Sequence, residues 1–298
     1  MPFKEFCCEN NIDLKQNEEM KNHTTFKIGG KADYFVNVKT AEELKKVLNK
    51  AWELRLPLFI LGKGSNILVS DKGIDGVVIC LNGMENITVN GNEITADAGA
   101  SLSGVCVKAC ENSLTGLEFA YGIPGTVGGA LYMNAGAYGG EMADAVISAE
   151  YIDKNGDIKT LSVNDMALGY RTSIFKTLDG VITSVKFSLE KGDKTEIKQK
   201  MDGFLNRRKE KQPLQYPSAG STFKRPQGYF AGALIEKNNL KGFSVGGAMV
   251  SEKHAGFVIN RNNATSDDVK TLMAEIQKRV YENDNVKLEP EVIFVGRE

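Results

Sequence analysis

Histidine, proline and cysteine are all scarce in this chain. Its 298 residues include two histidines, seven prolines and five cysteines. Because His23 and His254 are the only histidines and HExxH does not occur, a Ser-His-Asp hydrolase and an HExxH zinc enzyme are poorly supported. With so few prolines and no strict repeat, the 31 glycines do not indicate collagen or disorder. Their position along the chain is therefore informative.

The cysteines do not form a disulfide pattern. Their number is odd, Cys7 and Cys8 are adjacent, and the charged N-terminal segment has no signal-peptide core. We therefore expect a cytoplasmic protein. Cys106 and Cys110 are four residues apart on a predicted helix without further ligands nearby, so we predict core cysteines and no metal site.

Charge and hydrophobicity also exclude two classes of partner. The 37 basic and 38 acidic residues nearly balance, which argues against nucleic acid and anionic membranes as partners.

Residues 119–140 carry no charge over 22 positions, about the length of a membrane span. They nevertheless contain seven glycines and Pro124, and each glycine costs a helix roughly 1 kcal/mol. We interpret this segment as a buried, glycine-rich loop.

Apolar periodicity predicts alternating helices and strands of an α/β or α+β protein. Turn signals at residues 90–92 and 154–157 predict two hairpins. The predicted helices cover residues 41–51, 101–111, 194–212, 228–238 and 266–282, and the predicted strands cover residues 57–62, 77–81, 146–152, 158–161, 181–189, 257–259 and 292–295. Length favours about two domains, and a composition shift near residues 205–213 predicts a smaller C-terminal α+β domain.

Two glycine-rich loops are candidate ligand sites. In residues 60–71, ILGKGSNILVSD, two glycines flank Lys63 and can direct successive N–H groups towards phosphate oxygens. This segment alone is more typical of a plain strand-to-loop turn, and it is neither GxGxxG nor a Walker A loop. The second loop, residues 122–141, must satisfy its backbone polar groups either by tight packing or with a ligand. Together they indicate an extended, phosphate-bearing ligand.

Three further segments carry candidate reactive groups. Arg171 lies among apolar neighbours in LGYRTSIFK, where a guanidinium should pair with a carboxylate or phosphate. Ser218 and Ser221 flank a glycine in YPSAGSTFKRP. Glu289 and Glu291 in KLEPEVIFVG would face the same side of a strand. Taken singly, each such serine or glutamate is more often a turn residue or a solvated charge.

Seven motifs, in order along the chain, resemble the UDP-N-acetylenolpyruvoylglucosamine reductase (MurB) family. They are NHTTFKIGGKADYFV, LGKGSNILVSD, GIPGTVGGALYMNAGAYGGE, YRTSIFK, SAGSTFKRP, KHAGFVIN and LEPEV, which extend from residue 22 to residue 292. The short connection after YRTSIFK is similar to the type II form. The resemblance implies a vanillyl-alcohol-oxidase-type FAD-binding fold with two α/β subdomains, at residues 1–84 and 85–205, and a substrate-binding domain at residues 206–298.

The resemblance also implies the site residues. Those carried over as catalytic are Arg171, Ser221 and Glu291. Those implied to bind FAD without a covalent bond are Thr24, Thr25, Gly62, Lys63, Gly64, Ser65, Asn66, Gly125, Thr126, Gly128, Gly129, Ala130 and Asn134. Those implied to bind substrate or nicotinamide phosphates are Tyr170, Lys211 and Arg225, although relatives can carry a neutral amide at the last position.

The implied reaction is an NADPH-dependent reduction in peptidoglycan precursor synthesis. A UDP-sugar enolpyruvyl ether would become a lactyl ether by hydride transfer from reduced FAD and protonation by Ser221. Arg171 would stabilise the developing carboxylate charge, and Glu291 would bond to the same group. A monomer is expected. Two alternatives remain: a catalytically silent FAD-binding or nucleotide-sugar-binding module, and a flavin oxidase, whose covalent flavin would need the His or Cys that both glycine-rich loops lack.

Overall fold

The computed structural model describes all residues 1–298. Its α-helices are α1 (Phe3–Glu9), α2 (Ala41–Glu53), α3 (Leu102–Glu111), α4 (Val127–Tyr132), α5 (Lys194–Lys211), α6 (Ala231–Lys237) and α7 (Ser266–Asp284). Its strands are β1 (Asp13–Glu19), β2 (Lys31–Asn37), β3 (Leu58–Leu61), β4 (Ile67–Val69), β5 (Ile74–Cys80), β6 (Ile87–Asn90), β7 (Glu93–Asp97), β8 (Leu114–Thr115), β9 (Gly136–Ala137), β10 (Gly140–Glu141), β11 (Val146–Asp153), β12 (Ile158–Ser162), β13 (Gly180–Ser188), β14 (Glu190–Lys191), β15 (Ser244–Val245), β16 (Ala248–Val250), β17 (Val258–Asn260) and β18 (Ile293–Val295).

The chain divides into two compact units, each built from separate stretches of sequence. Unit 1 contains residues 1–15, 35–63 and 77–208, and unit 2 contains residues 16–34, 64–76 and 209–298. The last ninety residues are thus joined in unit 2 by two earlier segments, which the composition shift did not indicate. The three-part division at residues 84 and 205 stays a prediction.

Unit 1 contains a five-stranded antiparallel sheet in the order β12-β11-β13-β7-β6. Both predicted hairpins are confirmed in this sheet. Gly91 turns between β6 and β7 with a φ of 61°, and Gly156 turns between β11 and β12 with a φ of 78°. Residues with a side chain adopt such backbone angles only occasionally, so glycine is favoured at both turns.

The predicted strand, helix and strand near the N-terminus are also confirmed. β3 and β5 pair in parallel, and α2 precedes them with Leu44, Val47 and Leu48 fully buried. The sheet that contains both strands has the order β1-β2-β5-β3. The prediction that the β3 segment is buried was wrong for most of its length, because Leu61 alone is buried in this strand and the other three residues are half-buried.

Unit 2 has its core between helices α6 and α7 and the three-stranded sheet β15-β16-β17. Leu272, Ile276 and Val258 are buried in this core. Helix α6 begins at Ala231, later than predicted, because Gly228 with its φ of 77° belongs to the preceding turn. Strand β18 pairs in parallel with β4, which lies more than two hundred residues earlier in the chain.

The C-terminal segment is fastened within unit 2 by Arg297. Its guanidinium forms ion pairs with the carboxylates of Asp33 and Asp75 and donates to the Lys72 carbonyl oxygen at 2.8 Å. The Arg297 N–H also donates to the Gly73 carbonyl oxygen at 2.9 Å. Arg297 thereby ties the segment after β18 to residues from both earlier stretches of unit 2. No helix of the protein has both the length and the apolarity that crossing a membrane requires.

Candidate active site

The turn after β3 approaches the start of α4 so closely that only glycine fits at position 62. A Cβ on Gly62 would lie 2.4 Å from the Thr126 hydroxyl oxygen. Thr126 cannot easily yield, because it is buried, is stiff at χ1 and accepts a hydrogen bond from the Gly129 N–H at 3.3 Å. The Gly62 turn and the N-terminus of α4 are therefore packed too closely for a side chain at residue 62, and we refer to this close approach as the cradle.

The first residues of α3 and α4 meet beside this turn. The Leu102 N–H donates to the Gly125 carbonyl oxygen at 3.1 Å, and the Val127 N–H donates to that of Ala100 at 2.9 Å. The Lys63 ammonium donates to the Ser101 hydroxyl oxygen at 3.0 Å. The first turns of α3 and α4 contain no acidic residue. One lysine and an absence of acidic residues at these two helix starts suit a phosphate group, while the Leu102 and Val127 N–H groups already donate within the protein.

The glycine-rich segment is not a loop throughout, and that prediction needs correction. Residues 127–132 form α4, although Gly128 and Gly129 lie within it. The Gly128 N–H donates to the Ala98 carbonyl oxygen at 2.8 Å, and a Cβ on Gly128 would lie 2.8 Å from the Ala98 Cβ. Ala130 is buried on the same helix. Close packing and the Thr126 cap outweigh the low helix propensity of glycine.

Arg171 lies on a two-residue turn with a left-handed backbone. Gly169 and Thr172 exchange two backbone hydrogen bonds of 3.1 Å, which leaves Tyr170 and Arg171 as the turn residues. Arg171 has a φ of 53°. Its guanidinium is 5.4 Å from the Tyr170 ring centroid and lies 3.5 Å from the Gly136 carbonyl oxygen through both terminal nitrogens. The exposed Tyr170 and the half-buried Arg171 therefore project from one rigid turn.

In unit 2, Thr25 holds two candidate segments together. Its N–H donates to the Gly64 carbonyl oxygen at 3.1 Å, and its hydroxyl donates to the Ser218 carbonyl oxygen at 2.7 Å. Gly64 has a φ of 60°, and a Cβ there would lie 2.2 Å from the His23 carbonyl oxygen. Thr24 is buried and donates its hydroxyl to a backbone carbonyl. The threonine pair thus fixes the glycine turn by backbone contacts.

Asn66 connects the same turn to the segment that carries Glu291. The Asn66 side-chain amide donates to the Glu291 backbone carbonyl oxygen at 3.1 Å, and the Asn66 backbone carbonyl oxygen accepts from the Ile293 N–H at 3.0 Å. Ser65 precedes it and is half-buried. Glu291 is half-buried as well, and its backbone position is therefore set by the loop after Gly64.

The Ser221 segment pairs with the Glu291 segment. The Glu291 N–H donates to the Thr222 carbonyl oxygen at 2.9 Å, and the Lys224 N–H donates to that of Glu289 at 2.8 Å. The Lys224 ammonium is 3.2 Å from a Glu289 carboxylate oxygen. Ser221 is exposed at the end of this short antiparallel pairing. Two candidate catalytic residues are thus carried by hydrogen-bonded neighbouring segments.

The predicted strand at residues 292–295 is confirmed as β18, but it does not include the two glutamates. Glu289 and Glu291 do not belong to a strand, because β18 begins only at Ile293 and a single bridge joins Pro290 to Phe223. The proline has no N–H to donate, so a regular ladder cannot continue through it.

Lys211 and Arg225 are both exposed. Lys211 is the last residue of α5. The Arg225 guanidinium stacks over the Phe230 ring at 4.0 Å and donates through Nε to the Tyr229 carbonyl oxygen at 3.4 Å. This stacking positions the Arg225 side chain over the turn before α6.

Each unit gathers its own set of the residues proposed from the sequence. Unit 1 holds Gly62, Lys63, Gly125, Thr126, Gly128, Gly129, Ala130, Asn134, Tyr170 and Arg171, and unit 2 holds Thr24, Thr25, Gly64, Ser65, Asn66, Lys211, Ser221, Arg225 and Glu291. Ser101, whose hydroxyl is the hydrogen-bond partner of Lys63, was not among the site residues predicted from the sequence. Its place as the predicted first residue of α3 was the available signal.

Comparison with known proteins adds independent information about the whole chain. Residues 32–162 match the FAD binding domain family, and residues 212–295 match the C-terminal domain of UDP-N-acetylenolpyruvoylglucosamine reductase. The reductase of that name from Clostridium perfringens strain SM101 is 51% identical over 97% of this chain and 95% of its own. That from Caldanaerobacter subterraneus is 52% identical over 99% and 97%. This chain belongs to the UDP-N-acetylenolpyruvoylglucosamine reductase family.

Solved structures agree with membership of this reductase family. The reductase from Thermus caldophilus superposes with a TM-score of 0.82 at 35% identity, covering 95% of this chain and 99% of its own. Berberine-bridge-like enzyme 1 from Physcomitrella patens has a TM-score of 0.50 at 14% identity over 64% of this chain and 45% of its own, a likeness in fold alone. The predicted FAD-binding fold is confirmed, and the chain is an FAD-dependent oxidoreductase.

Proposed function

We propose that this enzyme reduces the enolpyruvyl ether of UDP-N-acetylglucosamine enolpyruvate to the lactyl ether, UDP-N-acetylmuramate, in peptidoglycan precursor synthesis. NADPH is the proposed electron donor. The observation that carries this proposal is the 51% identity to a reductase of that name over 97% of the chain. We further propose that the enzyme acts as a cytoplasmic monomer.

The proposed FAD-binding residues fit a phosphate-bearing cofactor. In unit 1, the close approach at Gly62, the Lys63 ammonium and the acid-free first turns of α3 and α4 suit a phosphate group. The flavin-lining roles of Thr24, Thr25, Gly64, Ser65 and Asn66 in unit 2 remain part of the proposal. When bound, FAD supplies the redox chemistry by accepting a hydride from NADPH and passing it to the vinyl carbon distal to the substrate carboxylate.

Arg171 is proposed to stabilise the negative charge that builds on the substrate. After hydride addition this charge spreads from the carbon into the adjacent carboxylate as an enolate. A guanidinium can bind both carboxylate oxygens, and a preorganised cation contributes several kcal/mol at such a position. The left-handed turn at Arg171 supports this role because it restricts where the side chain begins. Glu291 would hydrogen-bond the same carboxylate.

Ser221 is proposed to donate the proton that completes the reduction. Its exposed hydroxyl lies at the end of a segment fixed by backbone bonds, which suits a positioned acid. A serine hydroxyl is a weak acid in water, so Lys224, Arg225 or a water relay would assist. Tyr170, Lys211 and Arg225 are proposed to bind substrate or nicotinamide phosphates, which their exposure permits.

NADPH oxidation measured with and without the enolpyruvyl sugar nucleotide tests the function directly. We expect rapid, substrate-dependent oxidation by the FAD-loaded enzyme and one lactyl ether formed per NADPH consumed. Oxidation that depends on oxygen and not on the sugar nucleotide would identify a flavin oxidase instead. Flavin binding with no turnover would identify a silent binding module.

Stopped-flow measurement of Ser221→Ala tests the proton donor. Flavin reduction by NADPH should stay nearly unchanged, while reoxidation by the substrate should fall by roughly a hundredfold or more, as expected for loss of a general acid. Equal slowing of both half-reactions would reject this role for Ser221.

A further inference from the structure

Asn134 is a buried asparagine with both ends of its side-chain amide in use. It follows α4 with a φ of 41° and is 1% exposed. Its Nδ2 donates to the Gly169 carbonyl oxygen at 3.1 Å, and its Oδ1 accepts from the Ala143 N–H at 3.0 Å. Because one partner accepts and the other donates, these contacts fix the orientation of the amide. An asparagine is required for this pair of bonds.

The turn that carries Arg171 is held to α4 on both sides. Before the turn, the Gly169 carbonyl oxygen accepts from Asn134 and from the Thr172 N–H, which occupies both lone pairs. After the turn, the Ser173 hydroxyl donates to the Tyr132 carbonyl oxygen at 2.8 Å. A non-glycine residue in a left-handed conformation persists only when its surroundings fix it. The two attachments supply that restraint for Arg171.

Helix α4 links this turn to the cofactor cradle. Thr126, at its N-terminus, lies against the Gly62 turn, while Asn134 follows its C-terminus. The helix has six residues and a length of about 9 Å. Because it is short and tightly packed against Ala98, the distance from the cradle to the Arg171 turn is fixed by one rigid element.

We propose that Asn134 is a positioning residue, whose side-chain amide sets the place of the Arg171 guanidinium relative to the cofactor cradle. This inference rests on the proposed function, in which Arg171 stabilises the developing carboxylate charge. A displacement of about 1 Å at a catalytic group can slow a reaction by about a hundredfold. Asn134 therefore controls substrate reduction without itself touching the substrate.

Asn134→Asp is the sharpest single change. It keeps the size and the acceptor for Ala143, but an ionised carboxylate cannot donate to the Gly169 carbonyl oxygen. We expect flavin reoxidation by substrate to slow about 10-fold to 100-fold, and flavin reduction by NADPH to slow much less. Lowering the pH should partly restore this rate, because a buried carboxyl that regains its proton can donate again.

A double-mutant cycle separates positioning from a general structural effect. In an Arg171→Ala background, Asn134→Asp should cause no further slowing of substrate reduction. Multiplicative slowing would overturn the proposal, since Asn134 would then act by another route. Ser173→Ala, which removes the second attachment, should show the same pattern with a smaller loss in the rate of substrate reduction. It replaces Asn134→Asp in the cycle if that variant fails to fold.

Hydrogen exchange of residues 166–176 in the FAD-loaded protein gives a readout that does not depend on turnover. Asn134→Asp and Ser173→Ala should accelerate exchange in this segment, and unchanged exchange in both would overturn the positioning role. If Arg171→Ala leaves turnover unchanged, the role proposed for Arg171 fails, while the exchange data still decide whether Asn134 holds the turn.

Discussion

Helices α3 and α7 begin in opposite electrostatic settings. At α7, the Thr265 hydroxyl accepts from the Asp268 N–H at 3.0 Å, and the Asp268 carboxylate accepts from the N–H groups of Thr265 and Gly247. At α3, Ser101 forms no capping bond, and its hydroxyl accepts from the Lys63 ammonium instead. The N-terminus of α7 is capped by an acidic residue of its own first turn, whereas the N-terminus of α3 has a lysine ammonium beside it.

This difference bears on the proposed binding of FAD. A helix N-terminus carries a partial positive charge that an anion stabilises. At α7 that anion is Asp268, so the end is internally neutralised. At α3 the first turn contains no acid, and Lys63 adds to the positive potential. The contrast supports the proposal that the phosphates of FAD bind at α3, and three substitutions test it.

Gly62→Ala should have the largest effect. The Cβ of the alanine would overlap the Thr126 hydroxyl, and overpacking of this kind costs about 1–3 kcal/mol. If the cradle has to shift to bind FAD, the affinity for FAD should fall by about tenfold to a hundredfold. Titration of FAD followed by flavin fluorescence measures this change. As the matched control, Gly203→Ala in α5 has open space around it and should leave FAD affinity unchanged. Equal affinities in both variants would contradict the cradle.

Lys63→Met should weaken FAD binding by less. An exposed charge pair contributes up to about 1 kcal/mol, so affinity should fall about fivefold, with a shallower dependence on salt than in the parent protein. Lys63→Arg keeps the charge and should remain close to the parent. If both variants bind FAD equally weakly, the effect would come from packing and not from charge.

Asp268→Asn should have the smallest effect, and on stability alone. We expect about 0.5 kcal/mol less free energy of unfolding at pH 7, measured in urea with FAD bound, and no change in FAD affinity. The backbone N–H groups of Thr265 and Gly247 hold the pKa of the Asp268 carboxyl below its ordinary value. The stabilisation is therefore present above about pH 4 and is lost as the pH falls through the folded-state pKa, so the difference from the parent should shrink there.

Asp267→Asn is the control for this third substitution, because Asp267 lies in the same first turn without the cap contacts. It should cost less stability than Asp268→Asn. A larger cost would mean that general charge near the helix end matters more than the capping bonds.

The regular elements could be predicted because local signals decided them. Leu44, Val47 and Leu48 mark the buried face of α2 by their spacing, and glycines at positions 91 and 156 mark two hairpins. Helix α4 could not be predicted, since two adjacent glycines oppose a helix locally and only contacts with Thr126 and Ala98 favour it. Tertiary packing overrode local propensity at that position.

The residue types of the candidate site were found from motifs, but their contacts were not. Asn134 was expected to line the flavin, and its bonds to Gly169 and Ala143 depend on two segments distant in sequence from each other. A polar residue of this kind carries no sequence signal that distinguishes a ligand contact from a backbone brace. Ser101 was foreseen only as a helix start, since its contact with Lys63 joins positions 38 residues apart.

The pairing of β18 with β4 has a consequence for synthesis of the protein on the ribosome. Residues 67–69 leave the ribosome long before their partners at residues 293–295 are made. The Arg297 contacts with Asp33 and Asp75 must wait equally long. Unit 2 can therefore complete its fold only after nearly the whole chain has been translated. On a ribosome stalled before codon 293, Ile67, Leu68 and Val69 would lack their strand partner.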